Sequence, residues 1–243
     1  FDFDGKKLNE TEVLDLLSSS DASKREQAAE VFGKTLKDNI HLFSIITNTL
    51  SKDLQIENSL RGFKSCDSSR HLSNQVDPEN VDCLVKTVKK NYADLSHRYY
   101  KYKAKVFNVK RLNFWDRNAP YPKQKSQNIS WKTAKEIVEK AYKDFDVKVY
   151  DIIKLFFSNS WIHAPVSNGK MSGAFAHPAT PSLHPYILIN YQNKVRDVMT
   201  LAHELGHGVH QYLANDKGLL LSDTPLTLAE TASVFGEMLT FKS

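Results

Sequence analysis

His203, Glu204 and His207 stand in the order His-Glu-x-x-His, with Leu205 and Gly206 between them. On an α-helix, residues four apart are displaced by only about 40° in azimuth and about 6 Å along the axis, so both imidazoles reach one ion at about 2.0–2.1 Å. Glu204 sits about 100° around, off the ligand face but beside a metal-held water. The pattern points to zinc-assisted hydrolysis with the carboxylate as base. The plain alternative is an amphipathic helix whose histidines are surface or satisfied core groups. The two readings differ in one requirement, because a catalytic zinc site needs a further acidic ligand and an open position.

The segment Thr224 to Leu239 offers that ligand. A capping Thr224, Pro225 at the first helical position and apolar Leu226, Ala229, Val234 and Leu239 predict a helix. Glu230 lies there in a small, apolar stretch, where an unpaired carboxylate is costly to bury and a cation would neutralise it. One Zn2+ ion is the cofactor implied. Glu237, two turns further on, returns to within about 20° of Glu230. It either accepts a hydrogen bond from the remote nitrogen of a zinc-bound histidine or faces solvent, and the sequence leaves both open. His210 returns to the face of His203, but about 10.5 Å along the axis, so it is read as a supporting histidine rather than a ligand. The element carrying the pair must itself be a helix. Asn193 is expected to cap it, Asp197 to complement its dipole, and Val198, Met199, Ala202, Leu205, Val209 and Leu213 to form its apolar face. Asn215 and Gly218 are the expected stops.

Gly169-Lys170-Met171-Ser172-Gly173-Ala174-Phe175, then His184-Pro185-Tyr186-Ile187-Leu188-Ile189-Asn190-Tyr191, then Leu201 to His207 and Leu228 to Ser233 follow one another in an order and spacing that resemble the oligoendopeptidase F family. These are zinc oligopeptidases related to thimet oligopeptidase. The likeness is strongest over 161–242, and Arg61-Gly62-Phe63, Ser96-His97-Arg98-Tyr99-Tyr100 and Asp116-Arg117-Asn118-Ala119-Pro120 extend it upstream. The resemblance implies a mainly α fold: a zincin-type catalytic core with long helices and a small β-sheet next to the zinc helix, in a bowl whose channel admits short peptides. It makes His203, His207 and Glu230 zinc ligands and Glu204 the base of an endopeptidase. A metallocarboxypeptidase with the same helix is the first alternative, though no His-Glu-Ser segment follows the helix here. A helical binding module with a structural zinc is the second. Family members carry a histidine and tyrosines in a loop well downstream of the third ligand. This chain opens on Phe1 and ends at Ser243 inside an apolar helical pattern, and is expected to be an internal fragment.

With 243 residues, 41% of them hydrophobic, the chain can bury a real core. It is expected to divide into a helical region, 1–128, and a partial catalytic core, 129–243. No apolar run approaches the roughly 20 residues of a membrane span, so no membrane partner is expected. Cys66 and Cys83 lack metal or redox spacing and suggest a reducing, cytoplasmic setting. The net charge of +5 comes mainly from Lys-rich stretches such as Lys86 to Lys90 and Tyr99 to Lys105. These are read as solvated helix faces with tyrosines packing inward, not as a nucleic-acid surface.

Three long helical patterns precede the motif region. One starts at Asp21 and runs to about Leu54, with Ala28, Val31, Phe32, Leu36, Ile40, Phe43 and Ile46 on its buried side. A second opens at Asp77-Pro78 and runs to about Phe107. A third opens at Ser130 and turns Ile137, Val138, Ala141, Phe145, Val149, Ile152, Ile153 and Phe156 inward. Asn113 to Asn128 is the expected long loop. Ser172 to His177 and Pro185 to Tyr191 read as strands near a sheet edge. An extended peptide can add to such an edge through main-chain hydrogen bonds, which makes Gly173, Ala174 and Phe175 the expected substrate contacts. His163, His177 and His184 are read as loop histidines.

Overall fold

The computed structural model describes residues 1–122 and 127–243, which fall into two compact units, Phe1–Gln124 and Lys125–Ser243. The first begins with a hairpin, β1 (Asp2–Phe3) and β2 (Lys6–Lys7), whose Asp4-Gly5 turn has positive φ at both positions. Such a turn matches the twist of paired strands. Helix α1 (Glu10–Leu16) is closed by reciprocal hydrogen bonds between Asn9 and Glu12, and α2 (Ala22–Asp38) by Asp21. Phe3, Val13 and Ala28 form a small core between them. Then come α3 (Ile40–Leu60), α4 (Ser68–Ser73), α5 (Pro78–Lys90), a π-helical turn at Ala93–His97 and α6 (Arg98–Val106).

Two buried cations fix the chain after α6. Arg25 of α2 places Nε and Nη2 on Asp116 Oδ1 at 3.2 and 2.7 Å, and its Nη1 donates to the Ser19 carbonyl. Lys103 of α6 donates to the Arg117 carbonyl at 2.7 Å. The Phe114–Asp116 segment is a 3-10 turn closed by the Asn113 N–H bonding Asp116, so the predicted loop begins as an anchored turn. Residues 123–126 of that loop lie outside the described residues.

Several sequence expectations fail in this unit. The first long helix breaks at Asn39, whose side chain bonds back to the Thr35 carbonyl, a local alternative to continuing the helix. Leu36, Ile40, Phe43 and Ile46 are exposed rather than buried. Tyr99, Tyr100 and Tyr102 point outward too, since α6 spends its buried face on Lys103 and Ala104.

The second unit opens with α7 (Trp131–Phe145), capped by Ser130, and α8 (Val147–Ser158), capped by Asp146. The third predicted helix is thus two, broken where extended Asp146 accepts from the Val149 N–H, and Phe145 beside the break is exposed. A three-stranded sheet follows: β3 (Ile162–His163), β4 (Phe175–His177) and β5 (Tyr186–Leu188), ordered β3-β5-β4, with β5 parallel to β3 and antiparallel to β4. Of the two predicted strands, β4 forms an edge and β5 is central, because Ile162–His163, unforeseen from the sequence, covers its other side. Helix α9 (Val195–Ala214) runs under the sheet, and after a 3-10 turn at Asn215–Lys217 and Gly218 at φ 76° the chain enters α10 (Leu226–Lys242). Ile153, Phe156, Ile187, Ile189, Val198, Leu201, Ala202 and Leu205 form the centre of one continuous core.

Candidate metal centre

Helix α9 starts differently from expectation. Asn193 sits at φ 64° and does not cap it; the Asp197 carboxylate accepts from the N–H groups of Gln192 and Lys194 at 2.7 and 3.0 Å and closes the first turn. Leu213 is exposed, while Val198, Leu201, Ala202, Leu205 and Val209 are buried. Two glycines, each costing about 1 kcal/mol in a helix interior, allow close crossings. A Cβ on Gly206 would meet the Ala232 carbonyl oxygen at 2.5 Å, and one on Gly208 would meet the Phe156 ring at 2.7 Å.

Helix α10 answers with its own small residues. A Cβ on Gly236 would lie 2.6 Å from the Ala202 carbonyl oxygen and would collide with the Tyr142 hydroxyl, which donates to that carbonyl. The buried face of α10 is therefore Ser233, Gly236 and Thr240, whereas Leu226 and Val234 are exposed. Sequence patterning assigned the face by hydrophobicity, but helix axes this close admit only small side chains. Pro225, not Thr224, is the capping residue, and the helix starts one residue late.

The crossing brings His203, His207 and Glu230 together. The two imidazole Nε2 atoms lie 3.3 and 3.4 Å from Glu230 Oε2. Ligands about 2.0–2.1 Å from one tetrahedral ion are separated by about 3.3–3.4 Å, so these atoms are spaced for a shared cation. One ligand atom from each of the three lies within 4.8 Å of the others. Two imidazoles and a carboxylate, with room for water, are the donor set of a catalytic zinc site.

Two of the three converging groups have further side-chain partners. Glu237 Oε1 is 2.6 Å from His203 Nδ1, which leaves His203 Nε2 facing Glu230. Ser233 Oγ donates to Glu230 Oε2 at 2.7 Å. Burial lowers the pKa of His207, which favours the neutral, ligating imidazole, while Glu230 opposes the shift. His210 lines the same cavity and takes no place among the three converging groups.

Glu204 is buried beside the group, with Oε2 lacking any hydrogen-bond partner among the described residues. Burial pushes its carboxyl up to about 7; Glu230 adds to the rise, and His203 and the Ala176 N–H oppose it. A cavity of about 320 Å³ opens over these side chains, walled by Ala174, Phe175 and Ala176 of the sheet edge and by Ser222 to Thr224. His163 and His177 lie on strands and His184 stacks on Trp161 at 3.8 Å, all apart from the converging group.

Sequence reasoning missed several residues that build this site. Lys170 donates to the carbonyls of His163, Pro165 and Ile189, and Asn190 Nδ2 donates to those of Met171 and Gly173. Together they lash the 169–173 loop to the sheet, and burial lowers the Lys170 pKa. Asn190, polar among Ile187, Leu188, Ile189 and Tyr191, gave a local hint, whereas the polar, glycine-flanked setting of Lys170 gave none.

A mainly helical scaffold that turns two helix-borne histidines and a carboxylate from the next helix toward one point has the architecture of a zinc-type metallopeptidase core. The chain belongs to peptidase family M3, whose pattern it matches over residues 15–243. It is 30% identical over 238 residues to oligopeptidase PepF of Bacillus subtilis (strain 168), covering 96% of this chain and 35% of that protein. It is 25% identical over 232 residues to group B oligopeptidase PepB of Streptococcus agalactiae serotype III (strain NEM316), covering 95% and 38%. The solved structure of PZ peptidase A with inhibitor 2 superimposes with a TM-score of 0.90 at 18% identity, over 99% of this chain and 44% of that one. The chain thus spans little more than a third of the length of these curated relatives.

Proposed function

We propose that the protein containing this chain is a zinc-dependent endopeptidase that hydrolyses internal bonds of short peptides. The convergence of His203, His207 and Glu230 at tetrahedral spacing, with a buried carboxylate alongside, carries this reading. The relatives named for oligopeptide cleavage support the substrate class. His203, His207 and Glu230 would hold one zinc ion, which supplies a Lewis acid that polarises a carbonyl and acidifies water. Glu204 accepts the proton of the attacking water and returns it to the leaving amine. Glu237 and Ser233 keep the ligands oriented, and Gly173 to Phe175 present the sheet edge to the substrate backbone. Among the described residues no helix is long and apolar enough to cross a membrane, and Cys66 and Cys83 are free thiols. The thiols support a cytoplasmic setting.

Glu204→Gln tests the mechanism because it removes the base and no ligand. The variant should keep its zinc and lose about a hundredfold or more in turnover of an internally quenched peptide blocked at both ends. Near-normal cleavage by the variant would remove Glu204 from the role. The blocked ends also separate an endopeptidase, which cuts this probe, from a carboxypeptidase, which does not.

A further inference from the structure

The outer edge of β4 is mostly closed. Along β5, the N–H groups of Ile187 and Ile189 point to β3, where they bond Trp161 and His163 carbonyls, so Tyr186 and Leu188 turn their polar groups toward β4. Their register partners are His177 and Phe175. Strand alternation then turns both polar groups of Ala176 away from the sheet, toward α9. There Gln211 Nε2 donates to the Ala176 carbonyl at 3.2 Å, and the Ala176 N–H faces Glu204 closely enough to lower its pKa. Glu204 and Gln211 are two helical turns apart on one face of α9. Two residues back, at Ala174, the same outward direction recurs without those partners. The Gly173 carbonyl is turned inward onto Asn190, so the Ala174 N–H points outward, and the Ala174 carbonyl does the same because the Phe175 N–H faces β5.

We propose that Gln211 is a positioning residue that clamps the Ala176 carbonyl to α9 and, with Glu204, leaves Ala174 as the single main-chain donor and acceptor pair of this edge open to a peptide substrate. The choice of side chain supports this. Gln211 Oε1 is buried without a partner, a cost that outweighs the return from one neutral hydrogen bond, so an apolar residue would serve stability better. The substrate half of the proposal rests on the peptidase reading above; the clamp does not.

Two measurements on the zinc-loaded protein separate these halves. Amide hydrogen exchange should find Ala176 protected and Ala174 open. Gln211→Met and Gln211→Glu, which both lack the donor, should each speed Ala176 exchange about tenfold, and Gln211→Lys, which keeps one, should restore protection. Unchanged exchange in the first two variants, or equal protection of both alanines, overturns the clamp. The second measurement is a walk of single backbone N-methyl groups along the internally quenched peptide. Wild type should lose about tenfold or more in kcat/KM at one pairing position only, and Gln211→Met should gain a second sensitive position two residues away. Two sensitive positions in wild type overturn the one-pair edge. Exchange as expected, with the parent peptide left uncut by wild type, overturns the peptidase reading while the clamp stands.

Discussion

Helices α9 and α3 are almost equal in length, 20 and 21 residues, yet α9 buries Val198, Leu201, Ala202, Glu204, Leu205, Gly206, Gly208 and Val209, whereas α3 buries Asn58 alone. Both are rich in apolar side chains. Around α9 those side chains meet α8, α10 and the sheet, all within the second unit; Gly206 lets the α10 backbone approach closely, and Gly208 makes room for the Phe156 ring. Along α3, Ile40, Leu42, Phe43, Ile45, Ile46, Leu50 and Leu54 are exposed. Apolar periodicity states that a helix face can be buried; it does not state that a partner is at hand. The second unit has turned its pattern into packing that brings His203, His207 and Glu230 together. In the first unit, buried polar groups fasten distant parts of the chain: Arg25 on Asp116 and Lys103 on Arg117.

Breaking that polar fastening should have the largest effect. Asp116→Ala leaves the Arg25 guanidinium buried with only the Ser19 carbonyl, and stripping one partner from a buried pair costs about 3–5 kcal/mol. Amide exchange in α2 and in 113–119 should rise accordingly, and unchanged exchange would show the pair to be idle. Gly206→Ala strikes the apolar contrast instead. Its new methyl must push Ala232 and Ser233 away, for about 1–3 kcal/mol of stability and a measurable loss of zinc affinity, read by thermal melting and by competition with a chelator. A variant as stable and as tight as wild type would mean the helices have slack. The smallest effect belongs to α3. Ile46→Lys, on an exposed position, should shift stability by no more than about 0.5 kcal/mol in denaturant titration. A larger loss would reveal a partner for that face.

How much of this was legible in the sequence follows the range of the interaction. His203, Glu204 and His207 are one local pattern, and Glu230 was visible as a carboxylate in a small, apolar segment. The start of α10 and part of its buried face were misjudged: Leu239 packs on the core as expected, but Ser233, Gly236 and Thr240 are selected by the distance to α9 and not by their hydrophobicity. Asn193 looked like a cap, but the Asp197 carboxylate reached both free N–H groups first. The bonds joining Arg25 to Asp116, Tyr142 to Ala202 and Gln211 to Ala176 link residues far apart in sequence, and no periodicity encodes such pairs. The sheet was half legible: the segments that hold β4 and β5 read as strands, while two-residue β3 is too short to leave a pattern.

The most direct test of the central claim is zinc content after exhaustive dialysis of wild type and Glu230→Ala, with circular dichroism to confirm that both are folded. One ion per chain in wild type and near none in the variant is the predicted result, because the two imidazoles alone leave the site a ligand short. Equal zinc in both would contradict the assignment of Glu230 and, with it, the metal centre on which the peptidase reading stands.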